Sequence, residues 1–241
     1  MNPFLIIGII LLIPVALFAF YVFVPFVAGR FVNPNKLYET DNAFYRWLYN
    51  TLVRIGLFFS RVKIHYEGDE KMPSGRFLLI CNHRSNFDPL VTAKAMRKYQ
   101  LSFISKKENL IMPVFGRIVR RVCYMPLERD DPRDALKIIN HSAKLIQNNV
   151  CSVGVYPEGK RSFSNELLPF HAGVLKIAQK ANVPIVVATI EGTELVRDRF
   201  PKKTHVTLRI LEVVSAEDAK AKRSVELGEE LYQKMKQALG K

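Results

Sequence analysis

The chain has 241 residues, 49% of them hydrophobic, and a formal net charge of +14 at pH 7. This length and apolar fraction suit one ordinary domain with a sizeable core plus an appended element. The three cysteines, Cys81, Cys123 and Cys151, form no C-x-x-C pair, which argues against a disulfide framework or a zinc site. Each lies in or beside an apolar run, so we predict buried, reduced thiols, as in a cytosolic domain.

Residues 1–30 are predicted to form an N-terminal membrane anchor. The segment from Met1 to Gly29 has no charged side chain, and about 20 apolar residues are enough to span a bilayer core. A cleaved signal peptide would begin with basic residues and have a shorter apolar region, so an uncleaved transmembrane anchor is favoured. Pro14 and Pro25 leave a re-entrant hairpin open as the alternative.

The charges that follow this segment predict an orientation and a partner. Arg30 and Lys36 come directly after it, which places the bulk of the chain at the cytoplasmic face of the membrane by the positive-inside rule. A basic surface can meet anionic lipid, nucleic acid or an acidic carrier protein. With an anchor next to it, anionic membrane lipid is the expected partner, and no nucleic acid is expected.

Residues 31–61 contain a predicted amphipathic helix from 42 to 61. On a helix, Arg46, Arg54 and Arg61 fall within an arc of about 80°, and apolar side chains occupy much of the rest. Such a helix can lie in the lipid interface with its arginines near head groups. The alternative is a helix that packs on the domain core.

Residues 62–241 are predicted to form one catalytic domain, because short apolar strands alternate with helices. This alternation predicts an α/β sandwich with a largely parallel central sheet, preceded by the membrane segment. The predicted strands are 62–67, 77–81, 101–105, 122–127, 152–156, 184–190 and 204–212. The predicted helices are 89–98, 132–148, 171–181 and one or two within 216–239.

Polar clusters follow four of these strands directly, at residues 83–88, 106–108, 157–162 and 191–194. In open α/β sheets, ligands bind at the carboxyl ends of the strands. If the four strands run parallel, their clusters share one rim, which would hold a base, a carboxylate and several cations.

His83 and Asp88 are the strongest candidates for chemistry on that rim. An imidazole takes a proton near neutral pH, and a carboxylate can hold the ring in one tautomer. Side chains five positions apart on a helix point about 140° away from each other, so the pair can meet only across a loop. The alternative is that Asp88 is the N-cap of a helix beginning at Pro89, and that His83 is a surface residue. The chain has no G-x-S-x-G string, which argues against a serine lipase and suggests that the substrate brings its own hydroxyl.

A second candidate is an anion site around residues 158–161. Gly159 would let the backbone approach a ligand closely, and Arg161 can bind phosphate oxygens with two N–H groups. Lys106 or Lys107 would add a point charge.

Together these motifs resemble a known family over residues 62–200. The chain is similar to the PlsC-like lysophosphatidic acid acyltransferases of the glycerolipid acyltransferase superfamily, whose blocks appear in the family's order. The matching blocks are Asn82-His83 through Asp88, Ser105-Lys106-Lys107-Glu108 through Leu127-Glu128-Arg129, Tyr156-Pro157-Glu158-Gly159-Lys160-Arg161-Ser162, Phe170 through Gly173, and Val183-Pro184-Ile185-Val186.

The resemblance implies transfer of a fatty acyl group from acyl-CoA or acyl carrier protein to the hydroxyl of a lysophospholipid acceptor, 1-acyl-glycerol-3-phosphate. His83 would be the general base, and Asp88 would orient it. The thioester is already activated, so no cofactor and no metal are expected.

The resemblance also implies a site for the acceptor phosphate. Lys106 and Arg161 would bind it, Glu158 and Gly159 would shape it, and Arg129 is a further candidate ligand. Lys160 departs from the family's usual threonine and adds a cation. Another acceptor therefore stays open (glycerol-3-phosphate, another lysophospholipid or an amino-lipid), as does a non-catalytic lipid-binding homologue.

Overall fold

The computed structural model describes residues 3–162 and 166–240, without the side chains of residues 3–11, 14, 15, 17 and 18. The described residues contain a seven-stranded sheet. In chain order its strands are β1 (Val62–Glu67), β2 (Leu78–Cys81), β3 (Leu101–Lys106), β4 (Met125–Leu127), β5 (Ser152–Val155), β6 (Ile185–Glu191) and β7 (Thr204–Val214). Their order across the sheet is β1-β7-β6-β2-β5-β3-β4.

Helices connect and cover these strands. They are α1 (Pro3–Arg30), α2 (Ala43–Phe59), α3 (Asp88–Ala95), α4 (Lys107–Ile111), α5 (Phe115–Arg121), α6 (Pro132–Gln147), α7 (Lys176–Ala181), α8 (Leu195–Arg199), α9 (Ala216–Ala221) and α10 (Ser224–Ala238). Short 3₁₀ turns lie at Asp69–Lys71, Arg97–Tyr99 and Ala172–Leu175.

The predicted α/β fold with a largely parallel sheet is confirmed. Strand β2 runs parallel to both of its neighbours, β5 and β6, and β3 runs parallel to β4 and β5. Strand β7 pairs with β6 in the antiparallel sense and with β1 in the parallel sense. The five consecutive strands from β6 to β4 are therefore mutually parallel, and their carboxyl ends lie at the same end of the sheet.

The sheet is buried between two layers of helices. In β2, Leu79 packs into a core that includes α2, α3 and α5, while the adjacent Leu78 and Ile80 pack into a core on the other face. Successive strand residues point to opposite faces, so a sheet covered on both sides needs an unbroken apolar run. This explains why β2 reads as continuous apolar sequence, and why Cys81 is buried as a free thiol.

The strand boundaries differ from prediction mainly at β4, which begins at Met125 instead of residue 122. Cys123 has a φ of 67°, a left-handed conformation that no strand contains. Helices α4, α5 and α8 were not predicted. They have five to seven residues each, which is too short for a helical apolar period to repeat.

The amino-terminal segment is one continuous helix, α1, which ends against α2 and α5. Ala28 is buried, its carbonyl accepts from the Tyr45 hydroxyl at 3.0 Å, and Arg117 Nη1 donates to the Gly29 carbonyl at 3.3 Å. Within the described part of the chain, no helix has both the length and the apolarity needed to cross a membrane. The predicted membrane-spanning anchor at 1–30 is thus unsupported; Met1, Asn2 and many of its side chains lie outside the described residues.

Helix α2 packs on the core along one face, and this corrects the prediction for Arg46. Instead of lying near head groups, Arg46 is 8% exposed and pairs with Asp41 at 2.8 Å. Its other nitrogens donate to the carbonyls of Leu101 and Val122 at 2.8 and 3.2 Å. These carbonyls need donors because they are buried beside strand ends, so Arg46 fixes α2 to the sheet.

The opposite face of α2 is exposed and aromatic. Phe44, Trp47, Phe58 and Phe59 are 48–72% exposed, and Arg54 is also exposed on this helix. We call these four aromatic residues the α2 aromatic face. The core-packing alternative thus holds for one side of α2, and lipid contact stays a prediction for the other side.

Candidate active site

The sheet order brings the polar clusters to one rim. Ile80 of β2 lies opposite Val155 of β5, and Cys81 of β2 lies opposite Ala188 of β6. Because these strands are parallel, the loops that follow them leave the sheet side by side. Residues 83–88, 157–162 and 191–194 are therefore neighbours, and residues 106–108 lie one strand further along.

His83 and Asp88 are in direct contact at this rim. His83 Nδ1 lies 2.7 Å from Asp88 Oδ2, and the same oxygen accepts from the backbone N–H groups of Arg84 and Ser85 at 2.7 and 2.8 Å. The other oxygen, Oδ1, accepts from the Thr193 hydroxyl at 2.5 Å. The carboxylate is completely buried, and these four hydrogen bonds replace the water that it has lost.

Asp88 is not the N-cap of α3, contrary to the alternative raised by the sequence. It is the first helical residue, and Phe87 occupies the N-cap position without a side-chain cap. The Asp88 carboxylate instead turns back over the preceding loop to bind two of its N–H groups. This loop brings His83 onto the carboxylate, which a straight helix could not do.

The contact at Nδ1 determines what the other imidazole nitrogen can do. A carboxylate at Nδ1 favours the tautomer with the proton on Nδ1, which leaves Nε2 as an acceptor. Among the described residues, Nε2 has no hydrogen-bond partner, and the His83 side chain is 17% exposed. The ring stacks on Tyr156, with centroids 4.3 Å apart and planes 19° apart. His83 is thus held from two sides and has one nitrogen available.

The Glu158 carboxylate binds the backbone of the loop that carries His83. Its Oε1 accepts from the His83 N–H at 2.6 Å and its Oε2 from the Leu168 N–H at 2.9 Å. In return, the Ser162 N–H donates to the His83 carbonyl at 2.8 Å. Both Glu158 oxygens are therefore occupied by main-chain donors, so this residue shapes the site through the backbone.

The backbone conformation of residue 159 and its surroundings both require glycine. Its φ is 68°, and a Cβ added there would lie 2.9 Å from Cδ2 of His171. Any side chain would combine left-handed strain with a clash against the imidazole ring. The close approach that the structure shows is between Gly159 and His171, and the predicted approach to a ligand stays a prediction.

We expect Glu158 to make stability depend on pH. Burial raises its pKa, although the Leu168 and His83 N–H groups oppose this shift. The folded state therefore binds a proton more readily than the unfolded state, so stability falls as pH rises from the unfolded pKa through the raised folded value. In Glu158→Gln this contribution is absent. Urea unfolding of both proteins from pH 4 to 8 should show wild type losing stability relative to the variant.

The exposed Glu229 on α10 offers a control of the same charge change. Glu229→Gln should follow the wild-type curve. A constant difference between wild type and Glu158→Gln across this pH range would contradict the assignment.

The predicted phosphate-binding cations follow different strands of the sheet. Lys106 ends β3 and pairs with Glu108 at 2.9 Å. The pKa of Glu108 is lowered by hydrogen bonds from the Glu108 backbone N–H and from Lys106. The charges of Lys106 and Arg129 lower it further. Lys106 and Arg129 therefore both lie near Glu108. Strand β5 separates β3 from β2, so Lys106 begins about 10 Å from the His83 strand.

Arg161 and Lys160 are closer to His83 along the backbone. They directly precede Ser162, whose N–H donates to the His83 carbonyl. Lys160 is exposed and Arg161 is half-buried. The structure thus places one pair of predicted cations beside His83 and the other at the end of β3.

Three further residues build the site and had no predicted role. Tyr156 supports the imidazole ring, and Thr193 binds Asp88. Asn82 donates to the Ile190 carbonyl at 2.9 Å and accepts from its N–H at 2.8 Å, which ties the end of β2 to β6. The available signal was position. Asn82 directly precedes His83, Tyr156 directly precedes the polar cluster 157–162, and Thr193 lies in the cluster 191–194.

The geometry agrees with a comparison to known proteins. A family model described as Acyltransferase matches residues 63–191, more than half of the chain. The chain belongs to the acyltransferase family. The matched region contains both His83 and Asp88, and it extends from β1 to the end of β6.

Curated relatives carry closely related names. A "Probable 1-acyl-sn-glycerol-3-phosphate acyltransferase" of Mycoplasma pneumoniae is 32% identical over 146 residues, which are 59% of this chain and 54% of that protein. The 1-acyl-sn-glycerol-3-phosphate acyltransferase of Cocos nucifera is 33% identical over 132 residues, 55% and 42% of the two chains. That of Streptococcus pneumoniae is 28% identical over 165 residues, 68% and 60%. The alignments span about half the length of these relatives.

A solved structure shares the fold. The crystal structure of the 1-acyl-sn-glycerophosphate (LPA) acyltransferase PlsC from Thermotoga maritima aligns with a TM-score of 0.65 over 81% of this chain and 80% of that one. The sequence identity is 20%, so this similarity supports the architecture alone.

Proposed function

We propose that this family member transfers a fatty acyl group from an acyl thioester to the free hydroxyl of 1-acyl-glycerol-3-phosphate, giving phosphatidic acid. The observation that carries the proposal is the His83–Asp88 contact of 2.7 Å, with the carboxylate fully buried and Nε2 without a partner among the described residues. The curated relatives named above support the choice of acceptor.

In the proposed reaction, His83 is the general base and later the general acid. Nε2 takes the proton of the acceptor hydroxyl while its oxygen attacks the thioester carbonyl carbon. The new C–O bond gives a tetrahedral intermediate, and the buried Asp88 carboxylate stabilises the imidazolium. When the C–S bond breaks, the sulfur takes the proton from Nε2. The products are an ester and a free thiol, so His83 is regenerated.

The acceptor phosphate would be bound by cations on the same rim. Arg161 and Lys160 directly precede Ser162, which is hydrogen-bonded to His83, and Lys106 and Arg129 approach from β3 and β4. A phosphomonoester would compete with Glu108 for the Lys106 ammonium. Arg161 can bind two phosphate oxygens at once, whereas the lysines supply point charges.

Acyl-CoA or acyl carrier protein is the proposed donor. A thioester needs no further activation, and holding two substrates in reactive geometry supplies much of a rate enhancement. The proposal therefore includes no metal and no organic cofactor.

We place the reaction at an anionic lipid surface, on its cytoplasmic face. The α2 aromatic face and the exposed Phe20, Phe23 and Phe26 of α1 present large apolar side chains to solvent. Arg30 and Arg54 are exposed on the same helices. Exposed aromatic residues beside arginines are typical of segments that bind at a membrane interface.

The decisive experiment is a radiolabelled acyl-transfer assay with purified protein and vesicles with or without anionic lipid. We expect turnover of 1-acyl-glycerol-3-phosphate to phosphatidic acid, and sedimentation with the anionic vesicles. Glycerol-3-phosphate, lysophosphatidylcholine and an amino-lipid are tested as competing acceptors, with acyl-CoA and acyl carrier protein as donors. Preference for another acceptor would reassign the substrate. Lipid binding without turnover of any acceptor would contradict an enzyme.

A further inference from the structure

Thr193 makes a contact with the His83–Asp88 pair that the sequence motifs do not include. It lies in the loop that follows β6, 105 positions from Asp88, and its hydroxyl donates to Asp88 Oδ1 at 2.5 Å. The side chain is completely buried. Asp88 Oδ2 accepts the other three hydrogen bonds, including the one from His83 Nδ1. Thr193 therefore supplies the only hydrogen bond to Oδ1 from the described residues.

The loop that carries Thr193 is fixed independently of this hydroxyl. Gly192 has a φ of 86°, and a Cβ added there would lie 2.5 Å from the His205 carbonyl oxygen of β7. Only glycine permits this close approach. A salt bridge of 3.2 Å between Arg84 and Glu194 joins the loop to the His83 loop on its other side. Removal of the hydroxyl should therefore leave the loop in place.

The contact fixes the orientation of the carboxylate. With a donor on each oxygen, rotation about the Cβ–Cγ bond of Asp88 breaks hydrogen bonds on both sides. Without the Thr193 hydroxyl, Oδ1 would be a buried, charged acceptor lacking a partner, which is costly. The carboxylate would then turn to share its donors between the two oxygens, and Oδ2 would move away from His83 Nδ1.

We infer that Thr193 is a positioning residue for acyl transfer: by binding Oδ1 of Asp88, it holds Oδ2 against His83 and so keeps Nε2 ready to accept a proton. This inference rests on the function proposed above. Thr193 acts through Asp88 and His83 and makes no contact with substrate in the proposed reaction. Its removal should thus impair the chemical step and leave acceptor binding intact.

The test is steady-state acyl transfer by Thr193→Val and Thr193→Ser, with Thr204→Val as the matched control. We expect Thr193→Val to lower kcat about 10- to 100-fold, the effect of losing one hydrogen bond to a buried charge, with the KM for the acceptor unchanged. Thr193→Ser keeps the hydroxyl and should restore most of the activity. Thr204 is also fully buried, but its hydroxyl has no partner within the described ranges, so Thr204→Val should turn over like wild type.

A double variant separates positioning from general stability. If Thr193 acts only through Asp88, then Thr193→Val should add little to the loss already caused by Asp88→Asn, because the two residues belong to one unit. Multiplicative losses would overturn the inference. If Thr193→Val does not fold, the smaller Thr193→Ala takes its place in both comparisons.

The outcomes also separate this inference from the proposed function. Wild-type turnover with an equally active Thr193→Val would overturn the role of Thr193 alone. An equal loss in the serine and valine variants, or a change confined to KM, would overturn it as well. A wild-type protein that acylates none of the acceptors overturns the proposed function, and the inference with it.

Discussion

Replacement of His83 by alanine should strongly reduce the rate of acyl transfer. The imidazole is the proposed proton acceptor, and general base catalysis contributes about 10²- to 10⁴-fold, so we expect kcat to fall by this factor. Stability should change little, because Asp88 keeps its hydrogen bonds from Arg84, Ser85 and Thr193. The measurement is single-turnover acyl transfer, alongside thermal unfolding and vesicle binding.

His65 provides the control for this substitution. It lies in β1, an edge strand three positions from β2 in the sheet, and it contacts His205. His65→Ala should retain full turnover. Near-normal activity of purified His83→Ala would refute the mechanism even if the protein proves to be an acyltransferase.

Replacement of Asp88 by asparagine should be about as damaging, with a loss of kcat of up to about 10⁴-fold, the scale seen when a buried carboxylate that orients a catalytic histidine becomes an amide. The shape is preserved, and the amide oxygen can still accept from His83, Arg84 and Ser85. The amide nitrogen then donates to the Thr193 oxygen, since a hydroxyl accepts as well as donates. The variant should therefore fold while the charge that stabilises the imidazolium is lost.

The acceptor KM and a control variant distinguish a loss of the Asp88 charge from a loss of substrate binding. Asp88→Asn should retain the wild-type KM for the acceptor, because Asp88 does not contact substrate in the proposed reaction. The exposed Asp198 of α8 gives a matched control, and Asp198→Asn should be as active as wild type. A folded Asp88→Asn variant with wild-type kcat would refute the role of the charge.

Hydrogen bonds fix the groups that surround His83. The Asn82 amide and the Glu158 carboxylate bind main-chain groups, and the buried Thr193 hydroxyl binds the Asp88 carboxylate. A base fixed in this way needs no rearrangement when the proton moves, which is how preorganised polar groups contribute to catalysis. The same argument explains why the supporting residues lie on loops anchored at strand ends.

Local sequence was sufficient wherever neighbours along the chain decide the structure. The unbroken apolar run before Asn82 predicted a buried strand, and β2 is one. Asp131 before Pro132 predicted a helix start, and Asp131 caps α6 by accepting from the Arg133 N–H. A helix also begins at Asp88-Pro89. Asp88 is not its N-cap, because a nearby histidine and two loop N–H groups bind the carboxylate instead.

What the sequence by itself determined was the alternation of strands and helices, the α/β class and the His83-to-Asp88 spacing, since each depends on short-range periodicity. Only the tertiary structure decided the strand order, the burial of Arg46 and the contact between Thr193 and Asp88. The last contact joins residues 105 positions apart, which meet because β6 pairs with β2. No local pattern encodes that pairing, because it is selected by burying both faces of the whole sheet.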